Sequence, residues 1–443
     1  MNQNKQANEI SKTTRKLMFL LVLVSPLFVL QVANKELFLW LQIIFVFFIY
    51  FKYNKLNVIT TPMILVIFFL PFITGIFAYF SSMTEPYKRT AINLAIMSIP
   101  LYFVLCCIKT LICRKSGVIE IIIKALKMVI IIELLWILIQ LFFYRVLELD
   151  INKLIFVDLL HVVENASFIR SWVWYPSGLS WHSAVLAPLF TLGILLFDNP
   201  VIRLLILLES FLCGNNTTLI GVVLCIMLLF LFNLYAKRGK INQKKIKVLL
   251  VLVILFCIVA FTTNITSKLI QVVISLWNRL FSVEKDASTA AHIGYYSDYL
   301  TILKNSSFSQ ILFGYGTGCS GYTITTLYGR YADGGTWAIE SDYINILVSR
   351  GIIGFINYYW LLFYIMIKGR RIDKRYTIFI LTILIQGFGY NIQFDYLLLI
   401  EIVMYITIKE HINIFSIIDQ LNKKHNWKRG RHAQNINYCC NVQ

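Results

Sequence analysis

The stretch "YINILVSRGIIGFINYYWLLFYIMI" (343–367) holds one charged residue, Arg350, in twenty-five positions. About 20 apolar residues in a helix cross the hydrocarbon core of a bilayer, and few soluble domains contain so long a run. Eleven further segments qualify, at roughly 17–33, 36–51, 58–80, 91–112, 126–144, 183–198, 201–214, 217–235, 248–264, 376–389 and 391–408. None alternates strictly between apolar and polar residues, so these are expected helices rather than barrel strands. The expected class is all-α: a polytopic integral membrane protein of about 12 transmembrane helices, one membrane domain over 1–443. The run at 17–33 follows a basic leader and has no clear small-residue cleavage site after it, which reads as an uncleaved first span.

Composition agrees. Of 443 residues, 58% are hydrophobic and 14% charged, against about half and a quarter in a soluble domain. A water-soluble enzyme and a disordered chain are both excluded. The formal charge of +19 could signal nucleic-acid binding, but its distribution argues otherwise. Counted by alternate interspan segments, 29 Lys and Arg fall on the side of both termini and 11 on the other. Cytoplasmic loops retain the basic excess, so both termini are expected in the cytoplasm, with no nucleic-acid partner implied. The basic tail 409–443 belongs to that side.

This orientation puts the two longest interspan segments, 145–182 and 265–342, outside. Every cytoplasmic loop is short, and no GxxxxGK[ST] string is present. Chemistry is therefore expected on the outer face, away from ATP. The cysteines suggest neither a disulfide framework nor a zinc site. Cys319 alone lies well inside a long polar stretch.

The first outer segment ends "NASFIRSWVWYPSGLSWHSAVLAP" (165–188). Trp172, Trp174, Tyr175 and Trp181 suit the headgroup level as an aromatic belt. Arg170 and His182 are cationic or polar groups at a surface where the charge bias does not call for them; a lipid phosphate is the simple partner for the arginine. In the second outer segment, Leu276, Leu280 and Val283, and then Tyr295, Tyr299, Ile302 and Leu303, recur at helical spacing. Two amphipathic helices lying along the membrane surface are expected. "FGYGTG" (313–318) follows, suited to a tight turn or an anion-cradling nest. The segment closes with Glu340 and Asp342 at the mouth of the tenth span. Arg350, eight residues on, would stand about 12 Å deeper in a continuous helix. An ionisable residue at that depth faces the protein interior.

Layout and strings together resemble bacterial O-antigen and capsular polysaccharide polymerases of the Wzy type, which are related in architecture to O-antigen ligases. "GLSWHS" (178–183) enters a span as the family's Gly-Leu-x-x-acid segment does. "RLFSVEKDASTAAHIGYYSDYLTILKNSSFSQILFGYGTG" (279–318) is similar to its arginine-containing amphipathic run ending in a glycine turn. "ESDYINILVSRGIIGF" (340–355) is similar to its helix entry, with Tyr343, Ile346, Leu347, Gly351 and Gly354 in place. "SFLCGNNTTLIGVV" (210–223) is similar to its break between two short spans. Three departures stand out: Glu340 where ligases carry histidine, Asn216 in place of the arginine of the break, and His292 where many members have a second arginine.

The resemblance implies an enzyme in the bacterial inner membrane that acts in lipopolysaccharide or capsule biosynthesis. It would be a metal-independent glycosyltransferase without a cofactor. Its substrates would be oligosaccharides linked to undecaprenyl pyrophosphate, with membrane lipids, a chain-length regulator and a flippase as partners. Pyrophosphate leaves readily, so the protein must mainly offset charge on the departing oxygen, a task for arginine. Arg279 is the expected catalytic cation, with Arg170 and Arg330 as further phosphate-binding candidates. Glu340 is the expected base for the attacking hydroxyl, with His292 and His182 behind it. Asp342 and Arg350 complete the substrate-binding set. An O-antigen ligase is the nearest alternative. A flippase or other transporter is the alternative from a different class, kept open by Glu133, Glu209, Asp395 and Glu401 within expected spans.

Overall fold

The computed structural model describes residues 10–27, 31–32, 35–53, 62–80, 85–115, 117–160, 169–170, 173–174, 176–180, 183–213, 216–236, 287–317, 319–320, 323, 339, 341–389 and 395–423. These residues fold almost entirely as helix. In chain order they are α1 (Lys12–Val24), α2 (Leu37–Tyr53), α3 (Pro62–Tyr79), α4 (Glu85–Arg114), α5 (Val118–Leu147), α6 (Ser183–Leu196), α7 (Pro200–Leu212), α8 (Asn216–Ala236), α9 (Ala287–Asn305), α10 (Phe308–Phe313), α11 (Asp342–Arg370), α12 (Lys374–Gly389), α13 (Asp395–Lys409) and α14 (414–423). Two antiparallel pairs of two residues each, Gln31–Val32 with Lys35–Glu36 and Ile169–Arg170 with Val173–Trp174, are the described strands.

Among the described residues, two stretches are long and apolar enough to cross a membrane, Ala95–Arg114 and, counted across the break at Gly351, Asp342–Arg370; Leu37–Tyr53, Ile64–Tyr79, Val185–Leu196 and Thr217–Asn233 are shorter apolar helices. Each expected span coincides at least in part with a helix except 248–264, which lies outside the described residues. The first is cut short. Helix α1 stops at Val24, because Pro26 has no N–H to continue the ladder and its ring crowds the preceding turn. Residues 31–32 then pair in the first ribbon.

Burial runs opposite to that of a soluble bundle on several helices. Along α5, Leu135, Leu138, Phe142 and Val146 are exposed while Glu133 and Gln140 are buried. On α7, Val201, Leu204 and Leu208 face outward while Glu209 and Ser210 are buried. On these faces the large apolar side chains point outward and the polar ones inward, the reverse of a soluble amphipathic helix.

The largest departure from expectation is in α11. The stretch 343–367 is not one continuous helix: Gly351, at φ 65° and ψ −170°, divides it into 342–350 and 352–370. Glycine alone occupies that backbone region at low cost. The halves fold back on each other. Tyr343 and Tyr359 would lie about 24 Å apart along an unbroken helix, yet their rings stack with centroids 5.0 Å apart, and Phe355 also meets Tyr343. Arg350 therefore does not lie deeper than Asp342 along a continuous helix. It stands at the bend, and the Asp342 end reaches back along the second half.

A break leaves the last carbonyls of the first half without helical partners. The turn after α10 supplies the donors: Tyr315 N–H bonds Val348 O at 2.8 Å and Gly316 N–H bonds Ser349 O at 3.1 Å. The backbones touch so closely that a Cβ on Gly314 would collide with Ser349 and Arg350, and one on Gly351 with Leu312 and Gly314. Gly314 shares the glycine-only conformation, at φ 78° and ψ −175°.

Gly351→Ala is expected to cost about 1–3 kcal/mol in backbone strain and about 1–3 kcal/mol more from the collision. Thermal unfolding of purified protein in detergent measures this. A variant as stable as the parent would mean the turn and the break do not depend on each other.

Candidate functional site

The C-terminal end of α12 gathers the elements that carry the distinctive strings. Its final carbonyls lie past the last helical N–H and need outside donors. Tyr296 of α9 donates its hydroxyl proton to Phe388 O at 3.0 Å, and Ser341 Oγ contacts both Tyr296 Oη, at 3.0 Å, and Gly387 O, at 3.4 Å. Tyr343 bonds Leu384 O, and its ring packs 4.4 Å from that of Phe388. In the same turn, Gln386 is buried and donates to Ala187 O and Thr191 Oγ1 of α6, both at 3.1 Å, and to Thr217 O of α8 at 3.4 Å. Thus "GLSWHS" leads into α6, "SFLCGNNTTLIGVV" into α8, and "ESDYINILVSRGIIGF" into α11, and all three helices meet α12 here.

Asp342 is 2% exposed and sits in the first turn of α11, where the helix dipole favours a carboxylate. Its side chain also lies against Gly387, at the opposite pole of α12. Burial pushes the Tyr296 phenol up; the Ser341 bond opposes this and the nearby Asp342 carboxyl adds to it. Tyr296 is therefore a neutral donor at ordinary pH. The side chain of Arg350 folds over Gly354, which also lies against Leu70 of α3. A side chain at 354 would occupy the space of the arginine stem.

The N–H groups of the glycine turn at 314–316 are spent on protein rather than left open to an anion. Besides the two N–H groups spent on α11, Gly314 N–H bonds Gln310 O at 2.8 Å, so these donors face protein carbonyls. Thr317 Oγ1 meets Thr74 Oγ1 of α3 at 2.9 Å. Cys319 is fully buried, and burial pushes its thiol up to about 12. It is a packing residue rather than a nucleophile.

The second expected amphipathic helix exists as α9, but its apolar side faces protein. Ile302 is buried with Ile339, Ile344 and Val348, joined by Tyr296, Tyr299 and Tyr315. The first, at 276–283, lies outside the described residues. So do four expected site residues: Arg279, Glu340, Arg330 and His182. Arg170 is on the second ribbon, paired with Val173, and His292 is on α9. Asp342 and Arg350 are the members of the expected set whose side-chain surroundings are described. Gln386 and Tyr296 escaped the sequence reading. A lone glutamine in an apolar run was the available signal for the first; the second was hidden among five tyrosines between 295 and 322.

Comparison with protein-family models gives no match, and comparison with curated proteins gives none either.

Tyr296→Phe is expected to leave the Phe388 carbonyl without its donor, at about 1–3 kcal/mol. Hydrogen exchange should then accelerate in 287–305 and stay unchanged in α5. Unaltered exchange in α9 would remove Tyr296 from this role.

Proposed function

We propose that the chain is a multi-pass protein of the bacterial inner membrane, with about twelve spans and both termini in the cytoplasm. In this reading it polymerises surface polysaccharide. The acceptor hydroxyl of a lipid-linked repeat unit attacks the anomeric carbon of a glycan on undecaprenyl pyrophosphate. The new glycosidic C–O bond forms as the bond to pyrophosphate breaks. The hydroxyl proton passes to Glu340, and arginines, Arg279 first, offset charge on the departing phosphate oxygen. Asp342 and Arg350 border the substrate, with Arg170, His182, His292 and Arg330 as the remaining contacts.

One observation carries the reading. The strings 313–318 and 340–355 resemble the same family, are separated in sequence, and meet backbone to backbone at Gly314 and Gly351. Two motifs that build one junction suit a single functional unit better than two chance likenesses. The outward apolar faces of α5 and α7 support the membrane placement. Glu340 in the position of the ligase histidine favours polymerisation over transfer to lipid A core.

The test is complementation of a strain lacking its own polymerase, reading surface polysaccharide on a gel. Parent protein should restore a long ladder. Glu340→Gln or Arg279→Ala, expressed equally, should collapse it to a single repeat, since loss of a general base commonly costs about 10²-fold or more. Loss of all polysaccharide on the core in a deletion strain would identify a ligase. Full ladders from both variants would sink the two assignments.

A further inference from the structure

A cluster of buried oxygens lies beneath the entrance to α6, apart from the α12 junction. Packing fixes its position. At Gly193 of α6, Ile130 of α5 and Ile206 of α7 converge: a Cβ there would stand 3.4 Å from Ile130 Cγ2 and 2.8 Å from Ile206 Cδ1. Glu133 follows Ile130 by three residues and Glu209 follows Ile206 by three, so one helical turn brings both carboxyls to the same level. The two interact electrostatically.

Glu133 is fully buried and Glu209 is 1% exposed. Glu133 Oε2 accepts Leu179 N–H at 2.7 Å, and Gln140 Oε1 accepts Gly178 N–H at 2.9 Å, which pins the 176–180 segment to α5. Glu133 Oε1 and both Glu209 carboxyl oxygens have no hydrogen-bond partner of good geometry among the described residues. Ser180 adjoins Glu133 closely enough for its hydroxyl and its N–H to interact with that carboxyl. Three such carboxyl oxygens in one buried region are unusual in a native fold, and two interacting carboxylates in a low-dielectric interior are costly without a counter-charge. Among the described residues, the other titratable groups that interact with them are Cys213 at the end of α7 and Tyr396 of α13, whose hydroxyl already donates to Val185 O at 2.7 Å. The described part of α6 contributes no titratable group. Neither a thiol nor a phenol neutralises a carboxylate pair.

We propose that Glu133, Glu209 and Ser180 bind a monovalent cation, a proton or Na⁺, which fastens the 176–180 segment to α5 and α7. A single positive charge shared between the two carboxyls halves their combined charge and removes their mutual repulsion. Among the described residues no three His, Cys, Asp or Glu side chains converge, as the higher charge of a divalent ion would ask. The site is independent of the transferase reading and is tested without any activity.

Thermal unfolding of the full chain in detergent, in NaCl against KCl at equal ionic strength and across pH 5 to 9, supplies the readout. A Na⁺ site predicts a midpoint several degrees higher in NaCl than in KCl. A proton site predicts equal midpoints in the two salts that fall as pH rises. In either case Glu209→Gln should flatten the dependence, and Glu133→Gln should too while keeping the Leu179 bond through its amide oxygen. Should the charge variants fail to fold, Ser180→Ala removes one ligand oxygen without a charge and should shift the ion's midpoint concentration several-fold. Parent protein indifferent to both ions, or variants that retain the parent's full dependence, would overturn the site.

Discussion

Two backbone hydrogen bonds, from Tyr315 and Gly316 to the carbonyls of Val348 and Ser349, are the constraint on which the junction of α9, α11 and α12 depends. A broken helix in an apolar setting is tenable only where the freed carbonyls find donors. Here they come from a turn some thirty residues earlier, and the two backbones approach through glycine at both contact points. Once that contact exists, the first half of α11 folds back. Tyr343 then stacks on Tyr359, and Ser341 and Tyr343 reach the open end of α12. Helix α9 is held to the same place by Tyr296 and by the small apolar cluster around Ile302.

Much of the helical layout is legible in the apolar runs, because transfer of a run of side chains out of water is a summed property that a window of sequence records well. The interruptions are less legible. Pro26 ends α1 inside an expected span, where the apolar tally passes over a single missing N–H. Gly351 belongs to the family-like string 340–355, yet glycine is common in apolar helices and does not announce a break. What decides the matter is the partner turn, and sequence spacing alone does not pair 314 with 351. The glycine turn was legible as a turn but not in its use, since a nest and a helix cap ask for the same residues.

The candidate site divides in the same way. Asp342 and Arg350 were legible as ionisable residues beside an apolar run, and their relative depth was not, because it rested on continuity of the helix. Gln386 shows the opposite case. It links α6, α8 and α12 through one amide nitrogen, and only the fold reveals that three carbonyl or hydroxyl oxygens converge on it. Ion-pairing contributes chiefly at the other end of the molecule. Arg375 bridges Asp373 and Asp419 there, its guanidinium held well charged by both carboxylates.

The seating of the turn on the helix break also divides the chain by length sensitivity. Thr317 and Ile339 are both fastened to the body of the molecule, the first to Thr74 and the second in the cluster around Ile302, and the chain between them closes a loop in the sense of connectivity. The entropy of closing such a loop grows only with the logarithm of its length, about 0.6 kcal/mol for each doubling. Insertions or replacements between the fastened ends therefore cost the anchor little. A protein built this way can exchange residues between those two ends while the turn and the helix break keep their register.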